Sequence, residues 1–206
     1  MISKKTDLIN KENMTSASGY LELILGNMFS GKTSYLIEIY KMNQICDKKQ
    51  IVINYEDDNR YDELQMSTHD KIKIPCIKSS KFLFNTFVGE LKEDIENKNI
   101  EVVLINEGQF FEDIIEFVNY LLSMNKQIYI CGLDGDFKRQ KFGKLLDLIP
   151  IADNYVKLRS LCVSCKDGTK ASFSKRITDE ESQTIIGFSN YVPLCRNCYE
   201  NDKMVK

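Results

Sequence analysis

The stretch that decides the fold is Leu23-Ile24-Leu25-Gly26-Asn27-Met28-Phe29-Ser30-Gly31-Lys32-Thr33. It has the spacing G-x-x-x-x-G-K-[ST], with an apolar run from Tyr20 before it and a helical pattern from Thr33 to Tyr40 after it. A strand, a glycine-rich turn and a helix in this order predict a P-loop whose backbone N–H groups bind phosphate. Lys32 supplies a charge for the β- and γ-phosphates, and the Thr33 hydroxyl suits Mg²⁺. The alternative is a glycine-rich turn of the same form that binds nothing.

The overall composition gives the protein no general affinity for polyanions. The chain has 206 residues, of which 43% are hydrophobic, enough for one domain with a buried core and a small appendage. A formal charge of −2 offers no electrostatic reason to bind nucleic acid or an anionic membrane. No apolar run approaches the roughly 20 residues of a membrane-spanning helix. We therefore expect a cytoplasmic protein that binds neither nucleic acid nor a membrane.

Short apolar runs alternate with longer helical patterns along most of the chain. Runs at 51–55, 102–105 and 128–131 predict strands, and apolar residues spaced for one helix face predict helices at 82–95 and 114–122. A shorter strand is expected over 72–77, interrupted by Pro75. This succession predicts an α/β fold with a RecA-like P-loop parallel sheet flanked by helices.

The sequence predicts three segments. Residues 1–18 are polar, which indicates a flexible N-terminal tail. Residues 19–158 carry the alternating pattern and are expected to form a P-loop α/β ATP-binding domain. Residues 159–206 are turn-rich and contain two cysteine pairs, which predicts a small zinc-binding domain followed by a C-terminal tail.

Polar residues follow two of the predicted strands at the edge where a phosphate loop would lie. Asn106 and Glu107 come directly after the buried run at 102–105, so Glu107 is a candidate Mg²⁺ ligand, general base or orienter of the nucleophile. Asp58 and Arg60 follow the second strand. Asp58 is a candidate to bind Mg²⁺ through a water molecule, and Arg60 is a candidate to contact a transferred phosphoryl group. The alternative in both places is a solvated polar loop.

Two C-x-x-C pairs near the C-terminus predict a structural zinc site. Four thiolates satisfy tetrahedral Zn²⁺ without leaving an open position, and the metal would stabilise a segment too small to build its own core. Disulfides or a redox-active C-x-x-C are the alternatives. The four ligands would be Cys162, Cys165, Cys195 and Cys198.

The stretch from Leu133 to Gly143 combines glycine, aromatic and basic residues directly after a predicted strand. Phe137 and Phe142 suit the enclosure of a flat ring, and a mobile loop of this kind can cover an active site. Neutralisation of phosphate would fall to Lys138, Arg139 or Lys141. The alternative is a basic surface loop anchored by its two phenylalanines.

Taken together, these motifs resemble the thymidine kinase family, which joins a P-loop α/β domain to a zinc-bearing lasso domain. The likeness extends from about Gly19 to Tyr199. The residues that carry it are Gly26 to Thr33, Asp58-Asn59-Arg60-Tyr61, Thr68-His69-Asp70, Glu107-Gly108-Gln109-Phe110-Phe111, Leu133-Asp134-Gly135, the two C-x-x-C pairs and Tyr191.

The resemblance implies Mg²⁺- and ATP-dependent phosphorylation of the 5′-hydroxyl of thymidine, with Glu107 as the catalytic base. Homotetramers and feedback inhibition by dTTP are also implied. Mg²⁺ would be held by Thr33 and Asp58. The ATP and phosphate contacts implied are Gly26, Asn27, Met28, Phe29, Ser30, Gly31, Lys32, Thr33, Asp58, Asn59, Arg60, Asn106, Gly108 and Gln109. The thymidine contacts implied are Met28, Phe110, Leu133, Phe137, Phe142, Ser174, Ser182, Gln183, Thr184, Ile185, Ile186 and Tyr191.

The chain departs from the family pattern at three places that bear on the site. Asn106 stands where the family usually has Asp, so this position carries no charge toward Mg²⁺. Ser174 replaces the usual Thr but keeps the hydroxyl. Ile186-Gly187-Phe188 replaces what is more often a Gly-Gly pair in the lasso.

Two other functions share parts of this pattern. A kinase of another deoxynucleoside would have the same phosphate-handling residues and a different base pocket. A P-loop ATPase whose zinc ribbon binds single-stranded nucleic acid would share the sheet, although the acidic pI of about 5.6 disfavours it.

Overall fold

Strands and helices alternate along the chain, as the sequence predicts. The structure is a computed structural model and describes residues 19–57, 65–67, 72–97, 99–183 and 190–201. The elements up to residue 158 are β1 (Tyr20–Gly26), α1 (Lys32–Ile45), β2 (Gln50–Tyr55), β3 (Gln65–Ser67), β4 (Lys73–Pro75), β5 (Ile77–Ser79), α2 (Leu83–Thr86), a π-helical turn (Phe87–Leu91), α3 (Lys92–Asn97), β6 (Val102–Ile105), a 3₁₀ turn (Gly108–Phe110), α4 (Ile114–Ser123), β7 (Gln127–Gly132), a 3₁₀ helix (Leu145–Ile151) and β8 (Asn154–Leu158). The C-terminal elements are β9 (Ser160–Leu161), β10 (Lys170–Ala171), β11 (Phe173–Arg176), β12 (Tyr191–Leu194) and α5 (Arg196–Glu200).

Six of these strands form one sheet in the order β5-β2-β6-β7-β1-β8. Every neighbouring pair in it is parallel. Strand β1, which leads into the predicted P-loop, lies between β7 and β8, and β6 lies next to β7. The predicted parallel sheet flanked by helices is therefore confirmed.

Helices cover both faces of the sheet. On one face, Leu21, Leu23 and Leu25 of β1 pack with apolar side chains from the helical segment 83–95 and from α4. On the other face, Ile24 packs with side chains of α1 and of the β3–β4 hairpin. The alternation of buried residues along β1 follows from the two-residue period of a strand. Because the helices cover the two faces of the sheet, a binding site can form at the edge where the strands have their carboxyl ends.

The structure differs from the sequence-based expectation in two regions. The strand expected over 72–77 is interrupted at Pro75 as predicted, but its two parts belong to different sheets. It is two strands, because β4 ends at Pro75, whose missing N–H cannot continue a ladder. Strand β4 pairs antiparallel with β3, whereas β5 joins the edge of the main sheet beside β2. Strand β8 was not predicted, since it is an exposed edge strand with too few apolar residues to give a clear pattern.

The C-terminal segment consists of two short antiparallel pairs, β9–β10 and β11–β12, followed by α5. Its buried apolar cluster contains only Cys162, Ala171, Leu194 and Cys198 among the described residues. So small a cluster supplies little burial free energy, and two of its members carry thiols that can bind a metal.

Among the described residues, no helix is long and apolar enough to cross a membrane.

Gly143 permits a close approach of two backbone segments next to the candidate site. It has φ +59°, and a Cβ there would lie 2.1 Å from the backbone oxygen of Gln109. We expect Gly143→Ala to destabilise the protein by roughly 2–4 kcal/mol, because neither backbone segment can give way easily. Urea denaturation would measure this change as a lower midpoint.

Gly89→Ala is the matched control. Gly89 lies in the π-helical turn with open space around the added Cβ, so alanine should stabilise the protein by about 0.5–1 kcal/mol. Equal midpoints for the two variants would contradict the close approach at Gly143.

Candidate functional site

The P-loop sequence forms a tight turn between β1 and α1. A Cβ at Gly26 would lie 2.6 Å from the carbonyl oxygen of Leu158, so β8 passes close behind the loop. Phe29 and Gly31 adopt φ values of 61° and 87°, in the left-handed region. Helix α1 begins at Lys32, and the N–H groups of its first turn therefore lie at the loop, where an anion is favoured.

The carbonyl oxygen of Asn27 accepts hydrogen bonds from two other residues of the P-loop. The Lys32 ammonium donates to this oxygen at 2.8 Å, and the Ser30 hydroxyl donates to it at the same distance. Lys32 is only 9% exposed, so its ammonium is held inside the loop.

Two serines of the C-terminal segment hold the P-loop from outside. The Asn27 side-chain amide donates to the Ser160 hydroxyl at 2.7 Å, and the backbone N–H of Met28 donates to the Ser174 hydroxyl at 2.9 Å. Ser160 was not predicted from the sequence, because a serine in a strand of two residues gives no signal. The phosphate loop therefore depends on the segment that carries the cysteine pairs.

Asn54, Asn106 and Cys131 form a buried chain of hydrogen bonds across the ends of β2, β6 and β7. The Asn106 amide nitrogen donates to Oδ1 of Asn54 at 2.8 Å, and the Cys131 thiol donates to Oδ1 of Asn106 at 2.9 Å. Each of the three residues is 1% exposed. Both polar ends of the Asn106 side chain are thus used within the protein.

Glu107 adopts a left-handed backbone conformation, with φ 57° and ψ 43°. This conformation costs a non-glycine residue roughly 1–2 kcal/mol, so the surroundings must fix it. Nε2 of Gln109 donates to the Glu107 carboxylate at 2.7 Å, and Oε1 of Gln109 accepts the N–H of Leu133 at 2.9 Å. Gln109 is 3% exposed and links Glu107 to the end of β7.

Three aromatic rings pack beside this edge. Tyr55 at the end of β2 stacks on Phe110, with ring centroids 4.6 Å apart, and Phe110 meets the edge of Phe142 at 5.3 Å. Burial and a hydrogen bond to Asp57 raise the pKa of the Tyr55 hydroxyl to about 12, so it stays a neutral donor near pH 7. Phe110 and Phe142, both predicted thymidine contacts, therefore lie together.

The loop from Leu133 to Gly143 is organised by Asp136, a residue that the sequence did not single out. One oxygen of its buried carboxylate accepts the backbone N–H groups of Lys138 and Gln140, each at 2.8 Å. The other accepts Nε2 of Gln183 at 2.8 Å. The Asp-Gly-Asp turn was the available signal, since Asp commonly binds backbone N–H groups in turns.

Two of the three basic residues predicted to neutralise phosphate are engaged elsewhere. Arg139 pairs with Glu200 at 3.1 Å, and Lys141 pairs with Asp147 at 2.9 Å. The Lys138 ammonium lies 5.3 Å from the centre of the Phe137 ring. These contacts favour an anchoring role for the basic residues of this loop.

Arg176 brings together several of the predicted thymidine contacts. Its guanidinium lies against the ring of Phe137, donates to the hydroxyl of Tyr191, and reaches the backbone oxygens of Ser182 and Gln183. The sequence analysis did not assign Arg176 a role. Six other predicted site residues, Asp58, Asn59, Arg60, Thr184, Ile185 and Ile186, lie outside the described residues.

The four paired cysteines meet in one cluster. Their sulfur atoms all lie within 4.8 Å of one another, and that of Cys165 is 3.8 Å from Cys195 and 3.5 Å from Cys198. With Zn–S bonds of about 2.3 Å, the ligands of a tetrahedral zinc ion lie about 3.8 Å apart. The cluster therefore fits Zn²⁺, and its four cysteines are free thiols.

The electrostatics of the cluster also favour a cation. Burial raises the pKa of the Cys162 thiol, but backbone hydrogen bonds from Cys195, Cys165 and Ser164 outweigh it and lower the pKa to about 6. Hydrogen bonds with Cys198 and Cys162 raise the pKa of Cys165 to about 12. Four thiolates at this spacing repel one another unless a metal ion neutralises them.

Comparison with known proteins agrees with this arrangement. The family model described as thymidine kinase matches residues 19–199. The chain belongs to the thymidine kinase family. It is 42% identical to the thymidine kinase of Yaba monkey tumor virus over 188 residues, which cover 90% of this chain and 97% of that protein. It is 38% identical to the thymidine kinase of Myxoma virus (strain Uriarra) over 190 residues, covering 90% of this chain and 99% of that protein.

A solved structure, domain III of the Thermotoga maritima replication initiation protein DnaA, aligns with 70% of the chain and 56% of that protein. The TM-score is 0.41 and the sequence identity 20%, values too low to add to the assignment.

The cysteine cluster leads to a prediction of metal content. Protein purified under reducing conditions should contain one zinc ion per chain by elemental analysis. Cys165→Ser should lower the zinc content well below one and lower Tm, because the small C-terminal core loses a ligand of its metal. Cys46→Ser, an exposed cysteine outside the cluster, should leave both values unchanged. A parent protein without zinc would refute the site.

The buried Asn106 leads to a prediction of stability. Asn106→Asp replaces the donor that faces Asn54 with a carboxylate oxygen, in a position that is 1% exposed. We expect a loss of about 1–3 kcal/mol in the free energy of unfolding at pH 7, because a buried charge then faces an acceptor. Urea denaturation without nucleotide would measure it. Asn119→Asp, at an exposed position of α4, should change stability by less than about 0.5 kcal/mol, and the same small change at Asn106 would contradict the hydrogen-bonded chain.

Proposed function

We propose that the protein is a thymidine kinase that transfers the γ-phosphoryl group of Mg²⁺–ATP to the 5′-hydroxyl of thymidine. The product, dTMP, would serve deoxynucleotide salvage for DNA synthesis. The observation that carries the proposal is family membership over residues 19–199, a range that includes both the P-loop and the cysteine cluster. Relatives that bear the name thymidine kinase match this chain over nearly their whole length.

The P-loop and the start of α1 would bind the triphosphate. Lys32 would exchange its hydrogen bond to the Asn27 oxygen for bonds to the β- and γ-phosphates. Thr33 and Asp58 would hold Mg²⁺, and Arg60 would neutralise charge on the transferred group. Mg²⁺ supplies charge neutralisation when bound, and the protein's share is to position the phosphates.

Glu107 would accept the proton of the 5′-hydroxyl as that oxygen attacks. The hydrogen bond from Gln109 keeps the carboxylate in one orientation, and the left-handed backbone at Glu107 turns it out of the line of β6. General base catalysis of this kind contributes about 10²- to 10⁴-fold to a rate. The base is therefore a useful target for testing the assignment.

The acceptor would lie between the loop from Leu133 to Gly143 and the C-terminal segment. Phe137 would contact the thymine ring, and Ser182, Gln183 and Tyr191 would close over it. Support comes from the contacts of Arg176 and of Asp136, which link these two parts of the chain. The zinc ion would be structural.

Two further properties follow from the family proposal. The active form would be a homotetramer, and dTTP would act as a feedback inhibitor. The cytoplasmic location expected from the sequence stays a prediction.

A coupled assay of ADP release with Mg²⁺–ATP tests the proposed reaction. We expect turnover with thymidine, and the comparison acceptors are deoxyuridine, deoxycytidine and water alone. Preference for deoxycytidine would favour a kinase of another deoxynucleoside. ADP release without any acceptor, stimulated by single-stranded DNA, would favour an ATPase that binds nucleic acid.

The variant Glu107→Gln tests the base in the same assay. Its kcat with thymidine should fall by about 10²- to 10⁴-fold, while the Kd for ATP changes by less than about threefold, because the side chain acts on the acceptor proton. Glu112→Gln is the matched control, since this exposed carboxylate lies just beyond the same turn. A kcat of Glu107→Gln equal to that of the parent would refute the assignment.

A further inference from the structure

Arg176 is a buried arginine at the end of β11, with 6% of its surface exposed. Along β11 the side chains of Ser174 and Arg176 are the buried ones, as the two-residue period of a strand requires. Ser174 contacts the P-loop through Met28. Arg176 therefore lies on the face of β11 that is directed toward the candidate site.

The guanidinium of Arg176 is nearly saturated with hydrogen bonds. Nη1 donates to the backbone oxygens of Glu180 (2.7 Å) and Ser182, and Nη2 donates to the backbone oxygen of Gln183 (3.2 Å) and to the hydroxyl of Tyr191. Only the N–H at Nε has no hydrogen-bond partner among the described residues. Backbone oxygens take three of these bonds, so the side chain fixes the path of the chain between Glu180 and Gln183.

The same guanidinium also fixes an aromatic ring from the other side of the site. Its central carbon lies 3.7 Å from the centre of the Phe137 ring, close enough for stacking. The backbone oxygen of Phe137 accepts a hydrogen bond from the hydroxyl of Tyr199. Phe137 is therefore held by its ring and by its backbone.

We infer that Arg176 is a positioning residue for the nucleoside, one that sets the segment 180–183 and the Phe137 ring at a fixed distance from each other. This inference rests on the proposed function, since Phe137, Ser182 and Gln183 are among the proposed thymidine contacts. A planar pyrimidine ring can contact both groups only if Arg176 keeps their relative positions fixed. Arg176 does not need to touch the nucleoside to control its binding.

The geometry of the fork explains why arginine occupies this position. A guanidinium is planar, so it can stack on one ring while its edge binds several oxygens in the same plane. A lysine would keep the charge but could neither stack in this way nor reach all four acceptors. A methionine would keep much of the volume and lose both kinds of contact.

The test compares Arg176→Lys and Arg176→Met with the parent protein, using thymidine and ATP as varied substrates. We expect the KM for thymidine to rise by about 30- to 100-fold in both variants, because displacement of a substrate-positioning group by about 1 Å has effects of this size. The KM for ATP should change by less than about threefold, and zinc content should stay at one per chain. Arg196→Met is the matched control, since that exposed arginine also stacks on an aromatic ring of the C-terminal segment.

Each outcome decides the inference. A KM for thymidine within threefold of the parent value would overturn it, as would an equal rise of both KM values with loss of zinc, which marks a general structural role. If Arg176→Met does not fold, Arg176→Lys decides the question. A parent protein that turns over no thymidine refutes the proposed function and the inference with it, whereas normal parent turnover with an unchanged variant refutes the inference alone.

Discussion

Parallel register among neighbouring strands is the constraint on which the site depends. Because β2, β6 and β7 run in the same direction with aligned ends, Asn54, Asn106 and Cys131 lie side by side at these ends and share one chain of hydrogen bonds. Strand β1 ends at the same edge and leads directly into the P-loop. The pairing of the strand backbones thereby brings together residues that are far apart in the chain, whatever contacts their side chains make.

Two side-chain braces then convert this edge into a defined geometry. Gln109 joins the turn after β6 to the end of β7, with one end of its amide on Glu107 and the other on Leu133. Asp136 joins the next loop to Gln183 of the C-terminal segment. Each brace uses both ends of a buried polar group, so the desolvation cost of that group is offset by its hydrogen bonds. Loops held in this way restrict the movement of the carboxylate or the aromatic ring that they carry.

The parts of the structure that follow local rules could be predicted from the sequence. The P-loop, the apolar strands β6 and β7 and the cysteine cluster each have a pattern set by backbone geometry or metal coordination. Strand β8 could not be recognised, because an exposed edge strand has little apolar alternation. Ser160, Asp136 and Arg176 were also missed, since their roles arise from contacts across the fold and their residue types are common on surfaces. Gln109, predicted to contact nucleotide, also binds Glu107 and Leu133 through the two ends of its amide.

Strand β11 also has a thermodynamic consequence. Ser174 and Arg176, two residues apart on its buried face, contact the phosphate loop and the segment 180–183 respectively. If nucleotide and acceptor bind at these two ends as proposed, a shift of β11 on binding of one changes the affinity for the other. Such a coupling is reciprocal: whatever factor one substrate applies to the affinity of the second, the second applies to the first. A strand of four residues would then connect the two halves of the proposed site.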